Sequence, residues 1–452
     1  MKILFSGLIM IVGQLAAAQS VAQKLDTAVK SVMGSSQGYS ASLSVYVADK
    51  SGKLIYEYNG NKGLSTASTQ KIFTAAAALE TLGANFKYTT TVAYSGEISD
   101  ETLNGNLHIT STGDPTLGSW RYEGYQPENF MKRLSDALRA KNIRSISGNL
   151  IIDDAYFDLQ TIPGGWPWND IGNYYGAGVW GVNWRENQFD LHMNGKEMGH
   201  SNVALPGVKW VNDVTTAGKS DQSIIYTAPH SEVAYIQGSL PAKKMTVSGA
   251  MPDPPRTFGE EVKKYLNDSG IIFKGQIITA SAQRIAGEKL AEFPRNNVLL
   301  TYDSPSLDKI IYWFMKKSVN LYGETLVKTM AKEKQDRGSY NVGIAYLKDF
   351  WKAKGIHPAM INFADGSGLS PQNYVSAHAE VQALLWSQNQ PWFGTYLDAF
   401  PVQTNGMKMK SGTMKDVKSF AGYHNGYVFS VIVNNYQGSA VEALYKILNN
   451  LK

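Results

Sequence analysis

The sequence of 452 residues contains no cysteine. This absence excludes disulfide scaffolds, thiolate metal sites, cysteine nucleophiles and lipid attachment to an N-terminal cysteine. An excess of one charge is also missing, because 43 lysines and arginines stand against 38 aspartates and glutamates, a net charge of +5. Since a nucleic-acid partner requires a concentrated basic surface, this small and dispersed excess argues against nucleic-acid binding.

Motifs for metals and nucleotides are missing as well. The seven histidines run from His108 to His424 and show neither H-E-x-x-H nor any close pair in the sequence. No G-x-x-x-x-G-K-[S/T] phosphate-binding sequence occurs. A G-x-S-x-G match at 34–38 follows a helical segment and opens no helix, so it lacks the context of a nucleophile elbow. We therefore expect no metal and no other cofactor.

Long hydrophobic runs are absent except at the N-terminus. Residues 3–15 are apolar, follow a lysine and precede small residues suited to cleavage, a pattern typical of a secretory signal peptide. The run is short for a membrane span, and no second run follows. We expect residues 1–18, or 1–22, to be removed and the mature protein to be periplasmic, without a membrane span.

The remaining chain has a globular composition, with 43% hydrophobic and 18% charged residues. Residues 41–60 alternate around a turn as a β-hairpin does. Residues 68–82 form an apolar segment that Gly83 ends, which predicts a helix. Residues 304–350 are again helical in pattern, and the last 50 residues predict a strand, a hairpin and a closing helix.

The middle of the chain differs from both ends. Residues 84–300 consist of short alternating segments divided by turn signals, a β-rich pattern. Within them, 163–184 hold four of the ten tryptophans, which indicates a packed loop or a binding rim. The order predicts an α/β (α+β) catalytic domain formed by 24–83 and 301–452. The inserted residues 84–300 are expected to form two β-rich subdomains.

The sequence Ser68-Thr69-Gln70-Lys71 opens the apolar helix. Its spacing places Ser68 and Lys71 on one helix face, where a partly buried lysine can act as base toward the serine. Free N–H groups at the start of the helix favour developing negative charge. The pattern S-x-x-K is common, however, and recurs at 306–309. There an N-cap role before the next helix is sufficient explanation.

Two further triplets carry suitable chemistry, and both also recur. S-x-N occurs at 318–320, 147–149 and 387–389, and offers a hydroxyl for proton relay and an amide for orienting a carbonyl. K-S-G occurs at 410–412 and at 50–52, where it is ordinary turn chemistry. Spacing alone does not choose among the copies. One set fits the order S-x-x-K opening a helix, S-x-N after a helix, and K-[S/T]-G-T before a C-terminal hairpin.

In that order the motifs resemble those of the penicillin-recognising serine enzymes. The chain is most similar to the D-alanyl-D-alanine carboxypeptidase/endopeptidases called class C low-molecular-mass penicillin-binding proteins. The resemblance extends over nearly the whole mature chain and includes 111–117 (STGDPTL), 165–170 (GWPWND) and 365–370 (DGSGLS). It implies a transpeptidase/β-lactamase-like domain with a large insertion.

The resemblance also implies roles for individual residues. Ser68 would be the nucleophile, Lys71 its base, and Ser318 with Asn320 the second catalytic element. The backbone N–H groups of Ser68 and Thr413 would form the oxyanion hole. The substrate's terminal carboxylate would bind at a segment that comprises Lys410, Ser411, Gly412 and Thr413.

One part of the site departs from the family pattern. Relatives often place an arginine after D-G-S-G-L-S, whereas Pro371 stands there in this chain. Lys415 lies two residues beyond Thr413. We hypothesise that Lys415, together with Asp170 and Tyr175 of the aromatic stretch, contacts the diamino acid of the stem peptide.

The predicted function is a serine-type D-Ala-D-Ala carboxypeptidase, a DD-endopeptidase, or both. It would act on peptidoglycan stem peptides through an acyl-enzyme on Ser68. β-Lactam antibiotics would inhibit it by acylating the same serine. Two other functions remain open from the sequence. One is a β-lactamase on the same scaffold, and the other is a non-catalytic peptidoglycan-binding or sensor protein.

Overall fold

The computed structural model describes residues 19–335 and 338–452. The signal peptide predicted at 1–18 lies outside the described residues. The helices are α1 (Val21–Met33), α2 (Lys71–Leu82), α3 (Pro127–Ala140), α4 (Trp168–Ile171), α5 (Pro254–Asp268), α6 (Ala280–Ala286), α7 (Leu307–Lys316), α8 (Asn320–Gln335), α9 (Tyr340–Ala353), α10 (Ala377–Ser387), α11 (Phe393–Asp398) and α12 (Ala440–Leu448). None of these described helices has the length and apolar character that crossing a membrane requires.

The strands are short, and most of them belong to the middle of the chain. They are β1 (Ser42–Asp49), β2 (Leu54–Tyr58), β3 (Thr89–Tyr94), β4 (Glu97–Ser99), β5 (Thr102–Asn104), β6 (Leu107–Ser111), β7 (Ser145–Ile146), β8 (Leu150–Asp153), β9 (Gln188–Asn194), β10 (Glu197–Ser201), β11 (Lys209–Thr216), β12 (Ile224–Tyr226), β13 (Val233–Leu240), β14 (Lys244–Ala250), β15 (Ile272–Phe273), β16 (Ile277–Thr279), β17 (Val298–Asp303), β18 (Ile361–Asn362), β19 (Tyr374–Val375), β20 (Lys408–Met414), β21 (Val417–His424) and β22 (Tyr427–Asn434). Together with the helices they give the mixed α/β fold that the sequence predicts.

The two ends of the chain build one five-stranded antiparallel sheet. Its order is β2-β1-β22-β21-β20, and β1 pairs with β22 over its full length, from Ser42 opposite Asn434 to Asp49 opposite Tyr427. Helices α1 and α12 cover one face, and α2 and α10 lie on the other. Because both faces are covered, all six interior residues of β22 are buried, and Ser430 alone interrupts an otherwise apolar run in this strand.

Helix α2 lies in the centre of the largest core, between the sheet and helices α7 to α10. Its residues from Lys71 to Leu79 are all buried, so the helix shows apolar side chains all round instead of an amphipathic pattern. The predicted helix from Ser68 begins as a 3₁₀ turn, Ala67–Gln70, and becomes α-helical at Lys71. It ends at Gly83, whose φ of +83° suits glycine.

The inserted residues form four further sheets around two separate hydrophobic clusters. One cluster lies between helices α3 and α5 and a five-stranded sheet of order β16-β8-β6-β3-β17. The other is enclosed by two three-stranded sheets, β10-β9-β14 and β11-β13-β12. Strand β17 crosses residue 300 and pairs with β3, so residues up to Asp303 are held by the inserted sheet.

The helical region at 304–350 contains breaks that its periodicity does not show. Helix α7 ends at Lys316, and α8 begins at Asn320. Between them Ser318 has a φ of +59°, in the left-handed region that is costly for a residue with a Cβ. Strain of this kind is characteristic of functional sites, and it turns the chain sharply beside the start of α2.

Candidate active site

The site begins at the 3₁₀ turn that carries Ser68. Ala67, immediately before it, has a φ of +49°, so the chain turns sharply before it enters the helix. The short turn places Lys71 on the same face as Ser68, and Lys71 Nζ donates a hydrogen bond to Ser68 Oγ at 2.9 Å. The serine and lysine predicted to work together are therefore in direct contact.

The Lys71 ammonium is held by three partners. Besides Ser68 it donates to Asn320 Oδ1 and to the Ser367 carbonyl, both at 2.7 Å. The side chain has no exposed surface, and this burial lowers the pKa of Lys71 to about 7, although two neighbouring carboxyl groups act in the opposite direction. A substantial fraction of Lys71 is therefore uncharged near neutral pH.

The three partners determine where a neutral Lys71 directs its lone pair. A neutral amine has two N–H donors and one lone pair. The Asn320 amide oxygen and the Ser367 carbonyl can only accept, so they receive the two N–H groups. Ser68 is the one partner of the three that can donate, and the lone pair consequently faces the Ser68 hydroxyl proton.

The orientation of Asn320 is set by the aromatic stretch of the insertion. Asn320 Nδ2 donates to the backbone carbonyl of Tyr175 at 2.9 Å. Because a carbonyl only accepts, it holds the amide NH₂ toward the insertion and the amide oxygen toward Lys71. The insertion thus contributes directly to the geometry around Lys71.

Ser318 and Lys410 form the second half of the site. Lys410 Nζ donates to Ser318 Oγ at 3.1 Å and to the Ser411 carbonyl at 2.9 Å. Burial, assisted by the charges of Lys71 and Lys418, lowers the pKa of Lys410 well below its ordinary value. Because a bound carboxylate would favour the protonated forms of these lysines, this part of the cleft suits a carboxylate ligand.

Gly412 allows strand β20 to lie against the Ser68 turn. A Cβ at this position would lie 2.1 Å from the Thr66 carbonyl, 2.4 Å from Ser419 Oγ and 2.9 Å from the Ser68 nitrogen. Only glycine permits so close an approach. The backbone of β20 therefore passes beside the Ser68 amide, where two N–H groups can converge on one oxygen.

We expect Gly412→Ala to slow β-lactam acylation by about 10²–10³-fold, the loss typical of one oxyanion donor, because the added methyl pushes β20 away from Ser68. Gly394→Ala is the control, since a Cβ at Gly394 meets nothing within 4 Å. Stopped-flow acylation rates and thermal melting of both variants measure the effect. An unchanged acylation rate in Gly412→Ala would show that the close approach is unimportant.

The loop at 365–370 ties the aromatic stretch to the catalytic side chains. The buried Asp365 carboxylate accepts five hydrogen bonds. Two come from the backbone N–H groups of Gly368 and Ser370. The other three come from the side chains of Trp166, Gln70 and Asn373. These bonds fix the loop whose Ser367 carbonyl receives Lys71. The D-G-S-G-L-S motif thus supports the base and Trp166 together.

Two residues of the site were not singled out from the sequence. Glu324 lies one helical turn after Asn320 and accepts the Gly366 N–H at 3.0 Å, and burial with the nearby Asp365 raises its pKa to about 8. Lys418 pairs across the hairpin with Thr413 and donates to Thr413 Oγ1 at 2.7 Å. Helical spacing from Asn320 and the hairpin register were the signals that could have identified them.

Asp170 and Tyr175 lie together, whereas Lys415 stands apart. Tyr175 donates its hydroxyl to Asp170 Oδ1 at 3.2 Å, and burial raises the pKa of both groups. Lys415 is exposed in the two-residue turn between β20 and β21. Its ammonium forms no hydrogen bond or ion pair within the described ranges.

The repeated motifs occupy ordinary structural positions. Ser306 is the N-cap residue of α7, as predicted, although its hydroxyl bonds to Asp308 instead of a backbone N–H. The S-x-N copy at 147–149 lies in the turn between β7 and β8, and the copy at 387–389 ends α10. Lys50-Ser51-Gly52 forms the β1–β2 turn. Tertiary structure therefore selects one copy of each motif.

Curated relatives cover nearly the same length of chain. The D-alanyl-D-alanine carboxypeptidase of Actinomadura sp. is 27% identical in an alignment of 441 residues that covers 88% of this chain and 78% of the relative. The D-alanyl-D-alanine carboxypeptidase DacB of Haemophilus influenzae is 25% identical in an alignment of 431 residues that covers 87% of this chain and 85% of the relative. Both relatives therefore match this chain along its length, insertion included.

Solved structures show the same fold. The crystal structure of penicillin binding protein 4 (dacB) from Haemophilus influenzae superposes with a TM-score of 0.78 at 22% identity, and the match covers 94% of this chain and 98% of that one. The same protein complexed with a β-lactam superposes with a TM-score of 0.72. This likeness confirms the predicted fold class.

The sequence model of one peptidase family matches residues 22–450, almost the whole described chain. That match confirms the resemblance to penicillin-recognising serine enzymes that the three motifs indicated. This chain belongs to the D-Ala-D-Ala carboxypeptidase 3 (S13) family of serine peptidases.

Proposed function

We propose that the protein hydrolyses D-Ala-D-Ala bonds of peptidoglycan stem peptides through an acyl-enzyme on Ser68. The observation that carries this proposal is the contact between Ser68 and a buried Lys71 whose other two partners can only accept hydrogen bonds. The names of the two curated relatives, both D-alanyl-D-alanine carboxypeptidases, support the same substrate class.

In the proposed acylation, neutral Lys71 accepts the proton of the Ser68 hydroxyl as Ser68 Oγ attacks the carbonyl between the two D-alanines. The backbone N–H groups of Ser68 and Thr413 stabilise the oxyanion. Collapse breaks the C–N bond, and the proton that Lys71 accepted passes to the departing amine through the Ser318 hydroxyl. An ester on Ser68 and free D-alanine remain.

Substrate orientation would come from the terminal carboxylate. With the carboxylate bound, Lys410 is held in its protonated form as a buried cation, and Ser411 and Thr413 supply hydroxyl groups along the same strand. Lys418 adds a second cation beside Thr413. Placing the carboxylate here holds the scissile carbonyl over Ser68, where the reacting atoms need to be about 3–3.5 Å apart.

Deacylation would reverse the proton transfers. Water attacks the ester carbonyl, its proton passes to Lys71, and Ser68 leaves with a proton. A cross-linked peptide would enter the same cycle with a different leaving amine, so one acyl-enzyme accounts for both carboxypeptidase and endopeptidase reactions. A β-lactam would acylate Ser68 but keep its leaving amine attached.

Product analysis tests this function against its two alternatives. We expect the purified enzyme to release D-alanine from an acyl-D-Ala-D-Ala peptide and to form a long-lived adduct with a β-lactam. Rapid consumption of the antibiotic with no accumulated adduct would indicate a β-lactamase. Absence of both reactions, together with binding to peptidoglycan sacculi, would indicate a sensor or binding protein.

We also propose that Asp170, Tyr175 and Lys415 recognise the diamino acid of the stem peptide. The Asp170–Tyr175 hydrogen bond supports this idea, because it places a carboxylate next to the backbone segment that holds Asn320. Lys415, free at the hairpin tip, would supply the opposite charge. Recognition of a group carrying both an amine and a carboxylate needs such a pair.

For Lys415→Ala we expect turnover of a cross-linked peptide to fall by about two- to fivefold, the range of an exposed ion pair. Hydrolysis of a short D-Ala-D-Ala mimic, which lacks the diamino acid, should stay constant. Lys243→Ala, at an exposed lysine of the insertion, is the matched control. Equal turnover of both substrates in Lys415→Ala would contradict the assignment.

Export completes the proposal. Two features support export: the apolar run at the N-terminus, and membership of a family named for D-Ala-D-Ala carboxypeptidase activity, whose substrate in the cell wall lies outside the cytoplasm. The mass of the protein recovered from a periplasmic fraction tests it. We expect a mature N-terminus at residue 19 or 23, and recovery of the full-length chain in the cytoplasm would contradict export.

A further inference from the structure

The β9–β10 hairpin brings together two histidines that lie eight residues apart in the sequence. His192 lies on β9 and His200 on β10, and Met193 pairs with Met198 across the hairpin. The ladder is irregular between Met198 and Ser201, which shifts His200 into line with His192. Their ring centroids are 4.7 Å apart. This proximity comes from the hairpin register, which the spacing of the histidines along the sequence does not show.

We infer that His192 and His200 form a binding site for a divalent transition-metal ion, with Cu²⁺ preferred over Ni²⁺ and Zn²⁺. Imidazole nitrogens suit these three metals, and the Irving–Williams order places Cu²⁺ first. Mg²⁺ and Ca²⁺ prefer oxygen ligands and are not expected to bind here. The site lies in the 188–250 part of the insertion, which has its own hydrophobic cluster.

The geometry permits both rings to bind one ion. Metal–nitrogen distances are about 2.0–2.1 Å, so two ligating nitrogens lie roughly 3–4 Å apart on one ion. Both imidazoles are exposed and can rotate the small amount that this spacing needs. The ring planes are tilted by 47°, which leaves their edges free to converge instead of stacking.

The surroundings orient one ring and leave room for the ion. His192 Nδ1 lies 3.4 Å from Thr246 Oγ1. When the ring donates Nδ1–H to that hydroxyl, the Nε2 lone pair is free to ligate, the usual outer-sphere arrangement of metal-binding histidines. The two rings line an open pocket with a volume of about 570 Å³, and Glu197 and Lys244 also line it.

The local charge balance makes the site modest in affinity and open in coordination. The Glu197 carboxylate in the lining favours a cation, whereas the Lys244 ammonium opposes one. No group of three or more histidine, aspartate and glutamate side chains suited to a metal occurs within 19–335 and 338–452. Two protein ligands therefore leave the other positions of the ion to water, which gives exchangeable binding instead of a structural role.

Calorimetric titration of untagged mature protein with Cu²⁺ alone, in a non-coordinating buffer at pH 7.5, tests the inference. We expect one ion per chain, and an electron paramagnetic resonance spectrum with two coordinated nitrogens. His192→Ala and His200→Ala should each weaken binding at least about tenfold, because losing even an outer-sphere partner costs about 10–100-fold. His357→Ala, at another exposed histidine, should bind as the wild type does.

Both variants lie on the surface, and circular dichroism verifies that they fold. Unchanged stoichiometric binding in the His192→Ala/His200→Ala double variant would overturn the inference. Absence of any one-to-one binding by the wild type would overturn it equally. Peptidase activity does not enter the measurement, so the result is independent of the proposed function.

Discussion

Ser68→Ala should abolish acylation by a β-lactam and lower D-alanine release by about 10³–10⁶-fold, the loss seen when a catalytic serine is removed. The substitution deletes the attacking oxygen and leaves the fold intact, since an alanine fits the 3₁₀ turn. Binding of the antibiotic without covalent attachment is expected to persist.

The second S-x-x-K copy supplies the control. Ser306 is a partly buried N-cap residue of α7, and Ser306→Ala should acylate at the wild-type rate, because the Ser306 hydroxyl bonds to Asp308 of α7. Intact-mass spectrometry over several hours reads the adduct in all three proteins. An adduct on Ser68→Ala, or its loss from Ser306→Ala alone, would refute Ser68 as the nucleophile.

Acylation by wild-type enzyme should rise with pH around a midpoint near 7. Burial lowers the pKa of Lys71 to about 7, and only the neutral amine accepts the Ser68 proton. The rate should therefore increase about tenfold per pH unit below the midpoint and level off above it. Lys71→Met keeps the length of the side chain without the amine, and should lose at least about 10³-fold at every pH.

Two further variants test the direction of this effect. Lys71→Arg stays charged at all accessible pH values and should be as inactive as Lys71→Met. Burial raises the pKa of Glu324 to about 8, so this carboxyl is mostly uncharged near pH 7, and Glu324→Gln should leave the midpoint close to 7. Lys309→Met, in the other S-x-x-K copy, should keep the wild-type profile. A flat wild-type profile between pH 5.5 and 8 would contradict Lys71 as the base.

The geometry of the catalytic side chains depends on contacts with the inserted residues. Asn320 is oriented by the Tyr175 carbonyl, and Asp365 joins Trp166 to the loop that receives Lys71. Both contacts connect the aromatic stretch to the catalytic side chains. Substitutions in this stretch should therefore affect acylation of every substrate, whereas substitutions at Lys415 should affect only those that carry a diamino acid.

Sequence patterns determined much of the framework. The apolar helix after Ser68 follows from local spacing and from Gly83, and the C-terminal hairpin follows from alternation and the turn at Asn425-Gly426. Motif order along the chain also identified the family. These properties depend on residues near one another in the sequence, and local propensity and periodicity describe such residues well.

Tertiary structure decided what local pattern leaves open. S-x-N, S-x-x-K and K-S-G each recur, and only packing around α2 selects the copies that meet. The left-handed Ser318 and the lowered pKa of Lys71 arise from contacts between segments distant in the chain, and the register of one hairpin brings His192 beside His200. Burial and long-range hydrogen bonding are properties of the assembled core. For that reason the sequence alone predicted which residue types carry the chemistry, and the fold determined their geometry.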